Sequence, residues 1–377
     1  MSIGRILVRA PNWLGDMVMA LPAIRAVRRS AQEAHVAVAA PAGAATLFAF
    51  APDVDEVVPL PGAKGLRGLR LFSDDVASLA AARPDVALLL TNSFSSAWAV
   101  SRAGIPERWG YRTDARGPLL TRAVRRRDAT RQSAHHAEFY LALVRALGLA
   151  EEPDAARLKP RPTADLSEGD SRAPLQGRHR ETDTPYLRAT EEARARARER
   201  LVAHGWDPST PLVGVAPGAA YGRAKQYPPD LMASLVGGLV STGWTPVLIG
   251  AEEDQATGQT IVAALDTAGA TRTRLVNLIG KTDLAMLVGL ADLCRAFVSN
   301  DSGAMHIAAA LGTPVMAIFG STDERATAPI GPHVIVRASV WCRPCLLREC
   351  PIDHRCMRQI PPARLVQAVT ELPQAAE

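Results

Sequence analysis

Val298-Ser-Asn-Asp-Ser-Gly-Ala-Met-His-Ile-Ala-Ala-Ala-Leu-Gly312-Thr-Pro-Val-Met-Ala-Ile-Phe-Gly320 reads as the end of a strand, a tight loop, a short helix, a turn and a buried strand. Asn300, Asp301 and Ser302 are residue types that open helices, and Gly303 lets the backbone come close to a ligand. Met305 to Leu311 is an apolar helix stopped by Gly312 and Pro314. Free N–H groups at such a helix start attract anions, phosphates above all. A plainer role for Asp301 and Ser302 is to cap the helix and nothing more. The surroundings favour a ligand, because Ala296-Phe297-Val298 before the loop and Val315 to Phe319 after the helix read as adjacent parallel strands. Loops at the carboxyl ends of such strands bind ligands.

Working outward, the same alternation recurs on both sides. Pro211 to Ala216, Trp244 to Ile249 and Leu275 to Ile279 read as strands, and Leu231 to Val240 and Leu284 to Ala291 as helices between them. Earlier, Arg5 to Val8, Val36 to Ala40, Glu56 to Val58 and Val86 to Leu90 are short β-runs. Met17 to Arg29 and His135 to Leu147 carry helical apolar spacing. Alternating strands and helices imply a parallel sheet covered by helices. From about Glu151 to Pro185 the chain is polar and Pro-rich with no apolar period, and a new helix starts at Glu191 behind Thr190 and stops at Gly205. The expectation is an α/β chain of two Rossmann-like domains facing each other across a cleft. Residues 1–165 form the first domain, 166–186 a polar linker or insertion, and 187–377 the second domain.

A chain of 377 residues that is 47% hydrophobic can bury a large core. Its formal charge of +5 is uneven: residues 1–150 hold nineteen Lys and Arg against twelve Asp and Glu, which leaves the remainder slightly acidic. A modest excess of this kind suits an anionic substrate or an anionic membrane surface. Nucleic acid is disfavoured, for no basic helix or aromatic platform accompanies the charge. Ile6 to Val8 is too short for the core of a signal peptide, and the most apolar windows, Val36 to Pro52 and Met305 to Gly320, are broken by Pro and Gly and fall short of the ~20 residues a bilayer requires. A cytosolic protein with at most peripheral membrane contact is expected.

The familiar nucleotide fingerprints are missing. No Gly-x-Gly-x-x-Gly follows a strand, Gly218-x-x-x-Gly222-x-x-Lys225 is no Walker loop, and Asp53-Val-Asp55 reads as a turn rather than a metal-binding Asp-x-Asp. Three other segments do carry a resemblance: Trp13-Leu-Gly-Asp16-Met-Val-Met-Ala-Leu-Pro22, Pro217-Gly-Ala219 with Lys225-Gln-Tyr-Pro228, and Asn300-Asp-Ser-Gly303-x-Met-His306-x-Ala-Ala-Ala-Leu-Gly. In order and spacing they resemble the family-nine glycosyltransferases, the ADP-heptose:lipopolysaccharide heptosyltransferases. The resemblance covers both domains. It implies a GT-B fold and a metal-independent, inverting transfer of heptose from ADP-heptose to the inner core of a lipid A-linked oligosaccharide, at the cytosolic face of the inner membrane.

The residues suit those roles. Inverting transfer needs one general base at the acceptor hydroxyl, and Asp16, on a strand-to-helix loop, is the candidate; the alternative is a first-turn acid favoured by the helix dipole. The leaving ADP needs a cation and fixed N–H donors. The resemblance puts Lys225 on the phosphates, with Gly218, Ala219 and the Asp301-Ser302-Gly303 loop beside them. Arg223 is a nearby second choice, and Lys225 is otherwise a surface lysine. Glu252, or Glu253 next to it, is a candidate for ribose hydroxyls, and His306 for the donor or for a structural place in the core. Asn12, Trp13, Arg125, Arg126 and Arg127 are assigned to the acceptor. Lys64, Arg67 and Arg70, with Arg122 and Arg131, complete a cationic mouth if the two basic groups converge; otherwise they are solvated faces.

Catalysis in this reading has no use for the tail Trp341-Cys342-Arg-Pro-Cys345-Leu-Leu-Arg-Glu-Cys350-Pro-Ile-Asp-His-Arg-Cys356. Its spacing suits a structural zinc, with plain reduced thiols as the alternative; Cys294, in an apolar run, reads as a core residue. Two rival functions stand beside sugar transfer. One is a related GT-B enzyme, another heptosyltransferase or a sugar-nucleotide epimerase; the other is a non-catalytic nucleotide- or glycan-binding module.

Overall fold

Runs of Val, Ile, Leu, Ala and Phe without alternating polar residues build strands that are buried on both faces. The computed structural model describes residues 3–62, 68–126, 135–150, 184–267 and 274–372. Strands β1 (Arg5–Arg9), β2 (His35–Pro41), β3 (Glu56–Leu60), β4 (Val86–Leu89), β5 (Glu107–Tyr111) and β6 (Arg122–Val124) form a parallel sheet in the order β3-β2-β1-β4-β5-β6. Strands β7 (Leu212–Ala216), β8 (Thr245–Leu248), β9 (Val276–Asn277), β10 (Ala296–Asn300), β11 (Val315–Phe319) and β12 (His333–Arg337) form a second, in the order β12-β11-β10-β7-β8-β9. Each sheet therefore starts in its middle and reverses direction once, between β1 and β4 in the first and between β7 and β10 in the second. That reversal opens a crevice at the carboxyl ends of the two central strands.

The described residues fall into two compact units, one made of those up to 150 with 184–188 and the other of those after 188. Residues 184–188 join the first unit through Arg188 N–H, which donates to the Phe50 carbonyl at 2.8 Å, and through the Arg25 guanidinium over the Tyr186 ring. In the second unit β7, β10 and β11 are buried along their whole length, with Val298 and Met316 on one face and Phe297 and Phe319 on the other.

Local chemistry explains where sequence and structure differ. The helix expected over Met17 to Arg29 is two helices, α1 (Leu14–Met19) and α2 (Leu21–Ser30), with Ala20 between them. Pro22 has no N–H to return to Val18, so the first helix closes on the Ala20 amide and a new one starts. The arginine run after Thr121 opens as the edge strand β6, in which Arg122 is exposed with its guanidinium 4.6 Å over the Trp109 ring of β5. The helix behind it, α3 (His136–Ala146), and the helix of the opening stretch, α4 (Gly303–Ala310), lie close to their expected places. Asp53 and Asp55 are structural, as the turn reading held: they pair with Arg25 and Arg28 of α2, and Asp55 also accepts from the Val36 amide.

Candidate functional site

The crevice of the second sheet is bridged by one ion pair. The loop after β7 carries Lys225 and the loop after β10 carries Asp301, and the ammonium lies 2.7 Å from Asp301 Oδ2. Both groups are largely withdrawn from water, at 14% and 6% side-chain exposure. Lys225 is thus no surface lysine. Asp301 does not cap α4 either. Its Oδ2 also accepts from Thr322 Oγ1 at 2.8 Å and Thr327 Oγ1 at 3.4 Å, both beyond β11. Ser302 occupies the cap position of α4 without a side-chain cap bond, its hydroxyl lying 2.9 Å from Ser299 Oγ instead. An ammonium has three N–H groups. Asp301 takes one, the Tyr221 ring lies 4.9 Å from the nitrogen, and donors are left to meet an anion at the start of α4.

Side-chain bonds from Asn300 to the backbone fix the height of the lysine loop. Its side chain donates to the Pro217 carbonyl at 2.7 Å and accepts from the Tyr227 amide at 3.0 Å, so one buried amide holds both ends of the loop. Gly218 is required by contact, since a Cβ there would lie 2.1 Å from Asp254 Oδ2. Ala219 beside it is half-buried. Asp254 is a residue that sequence reading passed over in favour of its neighbours. It is half-buried, accepts from the Ala251 amide, and has its carboxyl raised above the usual range, chiefly by burial. Glu252, Glu253 and Arg223 are exposed, and His306 is buried in α4.

The crevice of the first sheet presents a different carboxylate. Asp16 stands in the first turn of α1, just past β1, and keeps 24% of its side chain exposed. Its Oδ1 lies 3.3 Å from His136 Nδ1, at the first turn of α3, and it bonds the Tyr140 hydroxyl one turn further along. Burial pushes the Tyr140 hydroxyl up, and the Asp16 charge pushes the same way, so it remains a neutral donor. The sequence interval of 120 residues hid both partners; only α1 packing on α3 brings them together.

The sequence that builds these crevices matches a known family. The model of the family described as Glycosyltransferase family 9 (heptosyltransferase) matches residues 76–355. The chain belongs to glycosyltransferase family 9. Lipopolysaccharide heptosyltransferase 2 of Salmonella typhimurium is 33% identical over 329 residues, covering 86% of this chain and 85% of that protein. Lipooligosaccharide heptosyltransferase 2 of Haemophilus ducreyi is 29% identical over 374 residues, covering 98% and 99%. Among solved structures, Escherichia coli ADP-heptose lps heptosyltransferase II superposes with a TM-score of 0.76 at 28% identity, covering 98% of both chains. The pair of Rossmann-like units is the GT-B fold of this family, and the chain is a glycosyltransferase.

In this family-nine chain the acceptor candidates are spread more thinly than expected. Trp13 is 60% exposed, and Asn12 accepts from Arg9 at 2.9 Å. Arg125 is exposed, whereas Arg126 stacks 4.6 Å over the Phe139 ring of α3. Arg127, Lys64, Arg67 and Arg131 lie outside the described residues, as does the side chain of Arg70.

The glycosyltransferase also carries its four tail cysteines as free thiols lining one cavity. Cys356 is buried, and its thiol is pushed up to about 11 by that burial and then by Cys342, Cys345 and Cys350 around it. Cys294 lies apart in the core, as its apolar run foretold.

Proposed function

We propose that the chain transfers heptose from ADP-heptose to the inner-core oligosaccharide of a lipid A-linked acceptor, with inversion at the anomeric carbon. The observation that carries this reading is the Lys225–Asp301 pair at the crevice of the second sheet, because it fixes a cation beside the start of α4. ADP leaves with the electron pair of the sugar–phosphate bond, and the growing charge on its phosphate is met by the ammonium and the helix-start amides. At the other centre Asp16 takes the acceptor proton as the hydroxyl oxygen forms the new glycosidic bond. His136 and Tyr140 hold that carboxylate from the side of α3. Family membership and the relatives' names favour transfer over the epimerase and binding-module readings.

Because the protein supplies its own cation, this chemistry calls for no added Mg²⁺. Among the described residues no helix is long and apolar enough to cross a membrane. In this reading, contact with the cytosolic face of the membrane is peripheral and electrostatic. The test is incubation with ADP-heptose and purified core acceptors, followed by mass spectrometry. One added heptose, with or without EDTA, is expected. Sugar-nucleotide interconversion without acceptor, or a loss of transfer that Mg²⁺ restores, overturns the reading.

A further inference from the structure

The four tail cysteines ring a cavity that Ala224, Gly320, Ser321 and His354 also line. None is disulfide-bonded, and the Cys-x2-Cys-x4-Cys-x5-Cys spacing suits a tetrahedral thiolate site. The backbone is already turned for it. Leu346, next to Cys345, is left-handed with φ 57°, and so is His354, whose amide donates to Cys350 Sγ at 3.3 Å. Among the described residues no three His, Cys, Asp or Glu side chains stand at coordination spacing, so binding draws the sulfurs inward across the cavity they share.

What this loop touches gives the site a consequence. His354 Nε2 donates to the Ala224 carbonyl at 3.0 Å, and the Ala224 amide donates to the Arg348 carbonyl at 2.9 Å. Ala224 is the residue before Lys225. Tyr221, whose ring faces the Lys225 ammonium, donates its hydroxyl to the Leu346 carbonyl at 3.1 Å. Gly222 accepts the approach because a Cβ there would lie 2.4 Å from the Arg348 carbonyl oxygen. On the other side Arg343, between the first two cysteines, donates to the Gly320 and Thr322 carbonyls and pairs with buried Glu324 at 2.5 Å. Thr322 is the hydroxyl that bonds Asp301. Both halves of the Lys225–Asp301 pair thus rest on the cysteine loop.

We propose that Cys342, Cys345, Cys350 and Cys356 bind one thiophilic divalent ion, zinc or ferrous iron, and that the filled site holds in place the loop that carries Lys225. Four thiolates in tetrahedral array select those metals over Mg²⁺ or Ca²⁺. The metal performs no sugar chemistry. It closes the cysteine loop, and the closed loop fixes Ala224, Tyr221 and Thr322. The link to nucleotide affinity rests on the proposed donor role of Lys225; the metal site and the ordering of the loop do not.

The experiment uses the full chain purified under reductant. Elemental analysis is expected to find about one zinc or iron per chain, lost in Cys345→Ser and Cys350→Ser and kept in Cys294→Ala. Stripping with a strong chelator should quicken hydrogen exchange at the Ala224 amide and weaken ADP binding at least about fivefold, the low end of ordinary site-to-site coupling. Added Zn²⁺ should reverse both. A reduced chain that holds no metal and takes up neither Zn²⁺ nor Fe²⁺, or one with disulfides among the four cysteines, overturns the site. Metal that comes and goes with no change in exchange at Ala224 overturns its hold on the loop. If exchange responds but the metal-replete chain does not bind ADP, the donor reading falls and the metal site stands.

Discussion

Each crevice holds an aspartate at the carboxyl end of a central strand, Asp16 after β1 and Asp301 after β10, and the two stand in different surroundings. Asp301 is buried, and its Oδ2 alone accepts from a lysine and two threonines. A carboxylate so paired holds the lysine ammonium in one place. Asp16 is a quarter exposed, and its named partners are a half-exposed histidine and a phenol. Position in the fold brings both aspartates to the carboxyl ends of central strands, and packing decides which one stays open to solvent.

The largest expected effect tests that contrast at Asp16. Asp16→Asn preserves shape and removes the base, so kcat should drop by about 10²- to 10⁴-fold while ADP affinity and thermal stability stay level. A kcat within a few-fold of the parent would leave Asp16 as a first-turn acid that serves only the helix dipole.

Lys225→Ala should behave differently because it strands a buried carboxylate. Losing a charged hydrogen bond to phosphate costs about 1.5–3 kcal/mol, so ADP should bind roughly tenfold or more weakly, and transfer should slow as well. The melting temperature should also fall by several degrees, since Asp301 is left buried without its cation. If calorimetry finds ADP affinity intact, the lysine serves the fold alone.

How much of this could be read in the chain follows the same division. The apolar runs and the glycine and proline stops marked the central strands and loops, because backbone propensity and burial act over a few residues. Asp16, Lys225 and the loop at 301–303 were legible as motifs at strand ends. Their partners were not. His136, Tyr140 and Thr322 reach the two aspartates through packing, and nothing local to them in sequence points there. Strands β5 and β6 were missed for another reason: Arg122 read as part of a basic cluster, yet its guanidinium lies on a tryptophan face, and Arg108 of β5 spends its own on the Ile105 and Leu119 carbonyls. Asp254 escaped because two exposed glutamates precede it and only the approach of Gly218 gives it a role.

A smaller effect should come from the flank of Asp16. His136→Gln removes an interaction with a charged carboxylate in a half-exposed place, so kcat should drop about tenfold at most, with KM for ADP-heptose unchanged. A drop as deep as that of Asp16→Asn would make the pair a single unit and blur the contrast between the two crevices.

The smallest effect concerns the basic side of the first unit, where Arg125 and Arg126 differ as the two aspartates do. Arg126 is committed to the Phe139 ring, and Arg125 is exposed and available to a charged surface. Near an anionic membrane each exposed arginine contributes about 1 kcal/mol, and salt screens that over roughly 10 Å. Arg125→Ser should therefore raise the apparent KM for a lipid-embedded acceptor by no more than about fivefold at low ionic strength, and the difference should fade as salt is added. Arg126→Ser should cost stability instead, because the guanidinium covers an aromatic face of α3. Sedimentation with anionic vesicles at low salt separates the two. If Arg125→Ser sediments as the parent does, the charge on this unit faces water and the acceptor is drawn in by its sugar contacts alone.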